Sequence, residues 1–311
     1  MKKKKRKGEL WKNTVKYRQL VWMALPALLY FAIFSYVPMY GVILAFKRYN
    51  FADGIWGSPW NGLANFEFFY KSGKMVTLTG HTFFYNIIFI VVNTIANVSL
   101  AVFLSETVMA ARVRKILQSM SLLPYFISWV ICSIIFYNLF NYDYGVINNL
   151  ITSLGGEAIH VYGSPNGWPY ILTAANLWKD IGYGSIVYLA ACKGIDPNLY
   201  EAAAIDGAGI WKRIRFVTIP MLKPTVVTMT LLSLGRIMRG NFEMFYQLVG
   251  QNTRIIQKTD IIDTYVFRAV LDGTDYGLTA AVGLYQSLIC CVMIMAVNKL
   301  IKMYDPDYAL F

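Results

Sequence analysis

The sequence of 311 residues is poor in the residue types that soluble enzymes use for chemistry. It has 2 histidines, 15% charged residues and 4 cysteines, and no two cysteines have CxxC spacing. His81 and His160 belong to no HExxH or His-Asp-Ser arrangement, so we predict structural roles for both, with neither a metal site nor a disulfide. No GxxxxGK[ST] motif occurs. We therefore predict that the chain binds no ATP and no cofactor of its own.

What the sequence does contain is apolar residues, at 57% of the chain, with a mean hydropathy of +0.45. Such a composition is typical of a membrane protein. The net charge of +12 is concentrated near the amino terminus. A basic tail of this kind binds nucleic acid or a membrane surface. Because apolar sequence follows it at once, we predict contact with anionic membrane lipid and no nucleic-acid partner.

The long apolar segments predict the fold class, an all-α polytopic membrane protein with six transmembrane helices. The first segment is too long for a signal peptide and lacks a small-residue cleavage site, so we expect it to be retained. Pro26 and Pro38 are expected to kink or shorten it. The predicted spans are Leu20–Phe46, Phe83–Ser105, Ile116–Phe140, Ile171–Ala191, Thr225–Leu248 and Leu278–Ile301.

Basic residues predict the orientation of these spans. If the amino terminus is inside the cell, the inner segments collect most of the Lys and Arg residues, which agrees with the positive-inside rule. We therefore predict a multi-pass protein of the cytoplasmic membrane with both termini in the cytoplasm. Its parts are a basic cytoplasmic tail, 1–19, and a six-span domain, 20–311, with a cytoplasmic loop at 194–224 between the fourth and fifth spans.

That loop carries charges of both signs between two apolar segments, so it must project into water. Asp196-Pro197 predicts the start of a first helix. Gly207 and Gly209 permit a turn, and a basic, aromatic second helix is predicted from about Ile210. We expect Pro220 and Pro224 to end this second helix before the next apolar segment. The alternative is a chance amphipathic loop with no binding role.

The loop resembles the EAA loop of ABC-importer permeases. The family pattern is EAA, three residues, Gly, nine residues, then Ile-x-Leu-Pro, and this chain has Glu201-Ala202-Ala203, Gly207 and Val217-Thr218-Ile219-Pro220. The resemblance implies a coupling helix that docks on a separate ATPase subunit. The residues assigned to this coupling role are Glu201, Ala202, Ala203, Asp206, Gly207 and Pro220.

Other segments are similar to permeases of the carbohydrate-uptake, maltose-type importers, and above all to oligosaccharide permeases of the LplB type. They include Tyr36–Gly41, Gly57–Trp60 and Tyr125–Trp129. The resemblance implies a second permease subunit, a homologous chain or a second copy, and two ATPases that use ATP and Mg. It also implies an extracellular solute-binding protein, an oligosaccharide substrate and a Gram-positive source. The large outer domain of the larger maltose permease subunit is absent, so short loops are expected to contact the binding protein.

Charged and aromatic residues within the fourth and fifth spans are our candidates for the substrate pathway. Charges at that depth cannot face lipid. With helical spacing of three and four, Arg236, Arg239 and Glu243 would share one face. Arg239 and Glu243 could instead form a structural ion pair. The full candidate set is Arg236, Arg239, Asn241, Phe242, Glu243, Lys179 and Asp180.

Alternatives from other classes stay open at this point. An ABC-importer permease for amino acids, phosphate or metals would share the EAA loop. A secondary transporter would use Glu243 or Asp180 as coupling carboxylates, but no internal repeat is evident. A membrane-embedded enzyme could use Ser185, but no histidine within a span is available to activate it.

Overall fold

The computed structural model describes residues 17–106, 110–273 and 275–304. Most of the predicted basic tail, 1–19, lies outside these ranges. Within them the chain is helical, and its single isolated β-bridge joins Lys47 and Trp60. The α-helices up to the central loop are α1 (Arg18–Phe31), α2 (Gly54–Gly57), α3 (Ala64–Lys71), α4 (Lys74–Ser105), α5 (Ala111–Leu122), α6 (Trp129–Phe140), α7 (Val146–Ser153) and α8 (Trp168–Lys193). The remaining α-helices are α9 (Pro197–Ile205), α10 (Ile210–Arg213), α11 (Ile219–Leu234), α12 (Phe242–Val249), α13 (Thr253–Thr259), α14 (Ile262–Leu271) and α15 (Tyr276–Tyr304).

Shorter helical segments of other types connect several of these helices. The π-helical segments are Ala32–Tyr36 and Ile214–Thr218, and the 3₁₀ segments are Val37–Phe46, Leu123–Phe126, Val161–Gly163 and Pro165–Gly167.

Four helices of the described ranges are long and apolar enough to cross a membrane: Arg18–Phe46, Lys74–Ser105, Ile210–Leu234 and Tyr276–Met303. A fifth is added if the bent pair Ala111–Phe126 and Trp129–Phe140 is one span. The 26-residue helix α8 is long enough but falls short in hydropathy. The all-helical membrane fold is confirmed, while the count of six spans stays a prediction.

The third predicted span, Ile116–Phe140, is not one straight helix. It bends by 98° between α5 and α6. Pro124 lies in the 3₁₀ turn at the bend, where it has no N–H to continue an α-helix. The Ser128 side chain then caps α6 by accepting from the Ile131 amide at 3.4 Å.

The fifth predicted span, Thr225–Leu248, is wrong as a single helix. Helix α11 ends at Leu234, and α12 begins only at Phe242, where the Asn241 side chain accepts from the Met244 amide at 3.2 Å. Between them the Gly240 amide donates to Asp263 Oδ2 at 2.8 Å. Because this segment is not helical, Arg236, Arg239 and Glu243 do not share one helical face.

The predicted end of the loop's second helix at Pro220 and Pro224 is also wrong. The chain runs helically from Ile210 through the π-helical segment to Leu234. Pro220 occupies the start of α11 and Pro224 lies inside it. A proline removes one hydrogen bond and can bend a helix, but a neighbouring π-helical turn accommodates such a defect without ending the helix.

The core that positions the central residues is built by α4 and α8, which pack along each other. Tyr85 and Phe89 of α4 pack with Trp168 and Leu172 of α8, and Phe245 of α12 joins the same cluster. Nearer the other end of α4, Val102 packs with Cys192 and Leu222. Helix α4 therefore has aromatic packing along one half and contacts the base of the 194–224 loop with the other.

Candidate coupling loop and transport cavity

The loop after α8 is a helix-turn-helix, as its sequence predicts. Helix α9 begins at Pro197, and the Asp196 side chain accepts from the Asn198 amide at 2.9 Å. The turn is at Gly207, with φ of 74°, a conformation that side chains with a Cβ rarely adopt. Gly209 then caps α10 at Ile210. The segment carrying Glu201, Ala202 and Ala203 is thus helical.

The surface of this loop is open and partly apolar. Glu201, Asp206 and Gly207 are exposed, together with Ala202 and Pro220. Two large apolar side chains project beside them, with Ile205 at 87% and Trp211 at 83% exposure.

A hydrogen bond within the loop joins α9 to the π-helical segment that follows α10. The Tyr200 hydroxyl is 3.0 Å from Thr218 Oγ1, and Thr218 is fully buried. An exposed helical element that presents charged and apolar side chains is suited to binding another protein.

A cavity of about 650 Å³ lies between α4, α8 and the end of α11. Its α4 wall includes three amides, Asn86, Asn93 and Asn97, spaced seven and four residues apart and so on one helical face. Helix α8 adds Asn176 and Asp180, and the segment after α11 adds Arg236, Arg239 and Asn241. The cavity thus combines polar and charged side chains with apolar ones.

Sequence reasoning located part of this cavity. Four of the predicted pathway residues, Asp180, Arg236, Arg239 and Asn241, lie together on its walls. Phe242 instead packs against Phe267, with ring centroids 4.8 Å apart. Glu243 is exposed, and neither it nor Arg239 is in an ion pair with another described residue.

Lys179 lies next to Asp180 in the sequence but points to a different place. Its Nζ donates to the main-chain oxygens of Pro124 at 3.2 Å and Tyr125 at 2.9 Å, and also to that of Ile127. These carbonyls lie at the bend of the third span, where the helical bonding pattern is broken. Successive residues of a helix face directions about 100° apart, which separates Lys179 from the cavity that Asp180 lines.

The amides of the α4 wall were missed from the sequence. Their signal was present, because Asn86, Asn93 and Asn97 interrupt the second apolar segment at spacings of seven and four. Asn93 Nδ2 donates to Asn176 Oδ1 across the cavity wall at 2.7 Å. Asn97 is 5% exposed, and its Oδ1 has no hydrogen-bond partner among the described residues.

A second cavity, of about 1100 Å³, lies at the opposite end of α4 from the loop. It is lined by Lys74, Tyr265 and Arg268, among others. The Lys74 ammonium is 4.7 Å from the centre of the Tyr265 ring, and Arg268 forms an ion pair with Asp260. No group of three His, Cys, Asp or Glu side chains in the described ranges could hold a metal ion.

An exposed helical loop at one end of α4, a cavity with polar and charged side chains near its middle, and a second cavity at its other end are the features of a membrane transport subunit. The family comparison agrees. Residues 97–302 match the family model described as the binding-protein-dependent transport system inner membrane component, and the chain belongs to this family. It is a permease subunit of a membrane transport system.

Similar proteins cover nearly the whole chain. Protein LplB of Bacillus subtilis (strain 168) is 33% identical over 97% of this chain and 94% of its own length. The polygalacturonan/rhamnogalacturonan transport system permease protein YteP of the same organism is 33% identical over 98% and 94%. A chain of a bacterial alginate ABC transporter, solved with a periplasmic protein that holds an alginate pentasaccharide, superposes with a TM-score of 0.85. That chain is 29% identical and covers 95% of this one.

Proposed function

We propose that this chain is one permease subunit of an ATP-driven importer that carries oligosaccharides into the cell. The observation that carries the proposal is the order of three features along α4. Its 32 residues span about 48 Å, more than the hydrocarbon core of about 30 Å. The second cavity is a cleft at its first turns, the cavity with the charged and amide side chains is near its middle, and the 194–224 loop is beside its end.

The loop would be the docking element for an ATPase subunit. The residues that would contact that subunit on the cytoplasmic side are Glu201, Ala202, Ala203, Asp206 and Gly207. Pro220 lies at the start of α11, the helix that would transmit the movement of the ATPase to the transport cavity. The ATP and Mg would be bound by the ATPase, because this chain has no P-loop. Two ATPases and a second permease chain would complete the complex, in a membrane of Gram-positive type with both termini of this chain in the cytoplasm.

Oligosaccharide is the substrate class that the cavity supports. Amide and guanidinium groups on its walls can exchange hydrogen bonds with several sugar hydroxyls at once. Its volume of about 650 Å³ is within the usual range of about 300–1000 Å³ for small-molecule sites. A binding protein on the outer face would deliver the sugar to the cleft, and ATP binding would stabilise the outward-open state of the cavity.

Purification tests the proposal. An affinity-tagged form of this chain, expressed with its genomic neighbours, should bring ATPase subunits and a second permease with it. Reconstituted vesicles should take up oligosaccharide only with ATP and the binding protein present. Purification of the chain alone, or uptake driven by an ion gradient without ATP, would point to a secondary transporter. ATP-dependent uptake of an amino acid, phosphate or metal ion in place of sugar would contradict the substrate class.

A further inference from the structure

The central cavity has two chemically different walls. On α4 and α8 the wall carries four amides among apolar and aromatic side chains, and Asp180 is the one acidic residue of the described lining. The amide of Asn86 donates to the Thr82 carbonyl at 2.8 Å, which leaves its own oxygen free to accept. The Oδ1 of Asn97 has no partner among the described residues, but it is buried behind the surface of the wall. This wall suits hydroxyl groups, which need both donors and acceptors.

The facing wall carries two positive charges. Arg236 and Arg239 both line the cavity from the non-helical segment after α11. Their main-chain amides are occupied, since Arg236 donates to the Ser233 carbonyl at 3.0 Å and Arg239 to the Arg236 carbonyl at 2.8 Å. Neither guanidinium is within ion-pair distance of a carboxylate of the described residues. The two arginines therefore face the cavity without a counter-charge on this chain.

The position of the cavity within the membrane limits what can balance the charges of Arg236 and Arg239. The stretch Asn86–Asn97, on the opposite wall, is centred within about two residues of the midpoint of α4, so the cavity lies at about the middle of the membrane-crossing length. A charge at that depth is unfavourable unless it is paired or hydrated. Two arginines and one aspartate leave a net charge of +1 on the lining. A ligand carboxylate would neutralise this charge and could accept two parallel N–H bonds from one guanidinium.

We infer that the substrate is an acidic oligosaccharide, with uronic acid units whose carboxylates bind Arg236 and Arg239 while their hydroxyls bind the amides of α4. The inference rests on the proposed function and names the substrate class of that same cavity. A neutral oligosaccharide would satisfy the amide wall only. Selectivity for the acidic sugar then comes from the arginine wall, because leaving a guanidinium unpaired in the loaded cavity disfavours the neutral ligand.

Three size-matched probes test this directly on the complete transporter in lipid nanodiscs without its binding protein. They are a galacturonic acid trimer, the same trimer with its carboxylates methyl-esterified, and a neutral galactose trimer. Calorimetric titration should show the acid binding at least about tenfold more tightly than the ester, the effect of one lost charge-assisted pair. Equal affinities for acid and ester would overturn the inference.

Variants locate the effect on the arginines. Arg236→Gln and Arg239→Gln should each lower the affinity for the acid about tenfold, and that for the ester by less than about twofold. Arg254→Gln is the matched control, because Arg254 is an exposed arginine of α13 outside the cavity. It should leave both affinities unchanged. Cavity variants that keep the full preference, or a control that loses it equally, would contradict the assignment.

Charge-conserving variants cover a failure of the glutamine variants to assemble. Arg236→Lys and Arg239→Lys keep the charge but lose the two-pronged geometry, so the acid preference should fall only in part. If both lysine variants keep the full preference for the acid, the inference is wrong. If the complex imports a neutral oligosaccharide with ATP but does not prefer the acid, this inference fails and the proposed function stands. If no sugar of either kind is bound or imported, the proposed function fails as well.

Discussion

The Nζ atom of Lys179 lies 2.9 Å from the main-chain oxygen of Tyr125, and so joins α8 to the bend of the third span. The same ammonium is 5.2 Å from the centre of the Trp129 ring. The Tyr125 ring in turn stacks on Tyr183 at 4.1 Å between centroids, and Tyr183 lines the central cavity. Lys179 therefore stabilises the contact between α8 and the bend, which holds Tyr125 against the cavity-lining residue Tyr183.

Lys179→Met should destabilise the transporter, because the carbonyls at the bend would lose their donor inside an apolar frame. A hydrogen bond to a charged group contributes about 2 kcal/mol, so a clear fall in the thermal midpoint of the purified complex is expected. Lys193→Met is the control, since Lys193 is exposed in the last turn of α8. Equal midpoints for the two variants would contradict the supporting role.

Gly182→Ala should impair assembly, because a Cβ at this position would lie 1.9 Å from the main-chain oxygen of Ser121. Helices α5 and α8 would have to separate, which costs at least about 1–3 kcal/mol, as overpacking does. Gly80→Ala on α4 provides the comparison, because nothing lies within 4 Å of its added Cβ. That change should be neutral or slightly stabilising. Size-exclusion yield and thermal midpoint measure both, and a normal yield for Gly182→Ala would disprove the close approach.

Glu201→Lys should uncouple ATP hydrolysis from transport, because it reverses the charge of an exposed residue at the proposed ATPase dock. The variant should insert and assemble, yet ATP-dependent uptake should fall by about tenfold or more, as losing one interfacial ion pair would imply. Lys212→Glu offers a matched charge reversal on α10 of the same loop, and the ratio of uptake to hydrolysis should show which helix of the loop contacts the ATPase. Wild-type uptake by Glu201→Lys at normal complex levels would rule out this dock.

Labelling of single cysteines tests the orientation. The predicted topology places Ser58 outside the cell, in the loop after the first span. A cysteine there would be a poor label site, because Ser58 is 2% exposed and its hydroxyl donates to the Gly54 carbonyl at 2.6 Å. Trp56, at 75% exposure, is the better site. An impermeant thiol reagent applied to intact cells should modify Trp56→Cys and spare Lys302→Cys, which is exposed near the end of α15. The reverse pattern would place the 194–224 loop outside the cell and exclude its docking role.

Much of the architecture was predictable from the sequence because its signals are local. Apolar segments of spanning length predicted α8 and α15 to within three residues at both ends, and they predicted the end of α4, which begins nine residues before its predicted start. Asp196-Pro197 and Gly207 predicted the loop's helix start and turn, since a cap and a positive φ depend on a few neighbouring residues. The family resemblance also came from the sequence, through the EAA-like loop and segments such as Tyr36–Gly41, and the comparison with known proteins confirms it.

Long-range contacts decided the rest. The fifth span ends early where the Gly240 amide bonds Asp263, 23 residues further on, and this puts Arg236 and Arg239 in an open segment. Lys179 turns away from the cavity because its carbonyl partners lie 52 to 55 residues earlier in the chain. Composition and periodicity determine which segments are helical and apolar. Only contacts between distant segments decided that the fifth span breaks after Leu234 and which of two adjacent charges, Lys179 or Asp180, meets the cavity.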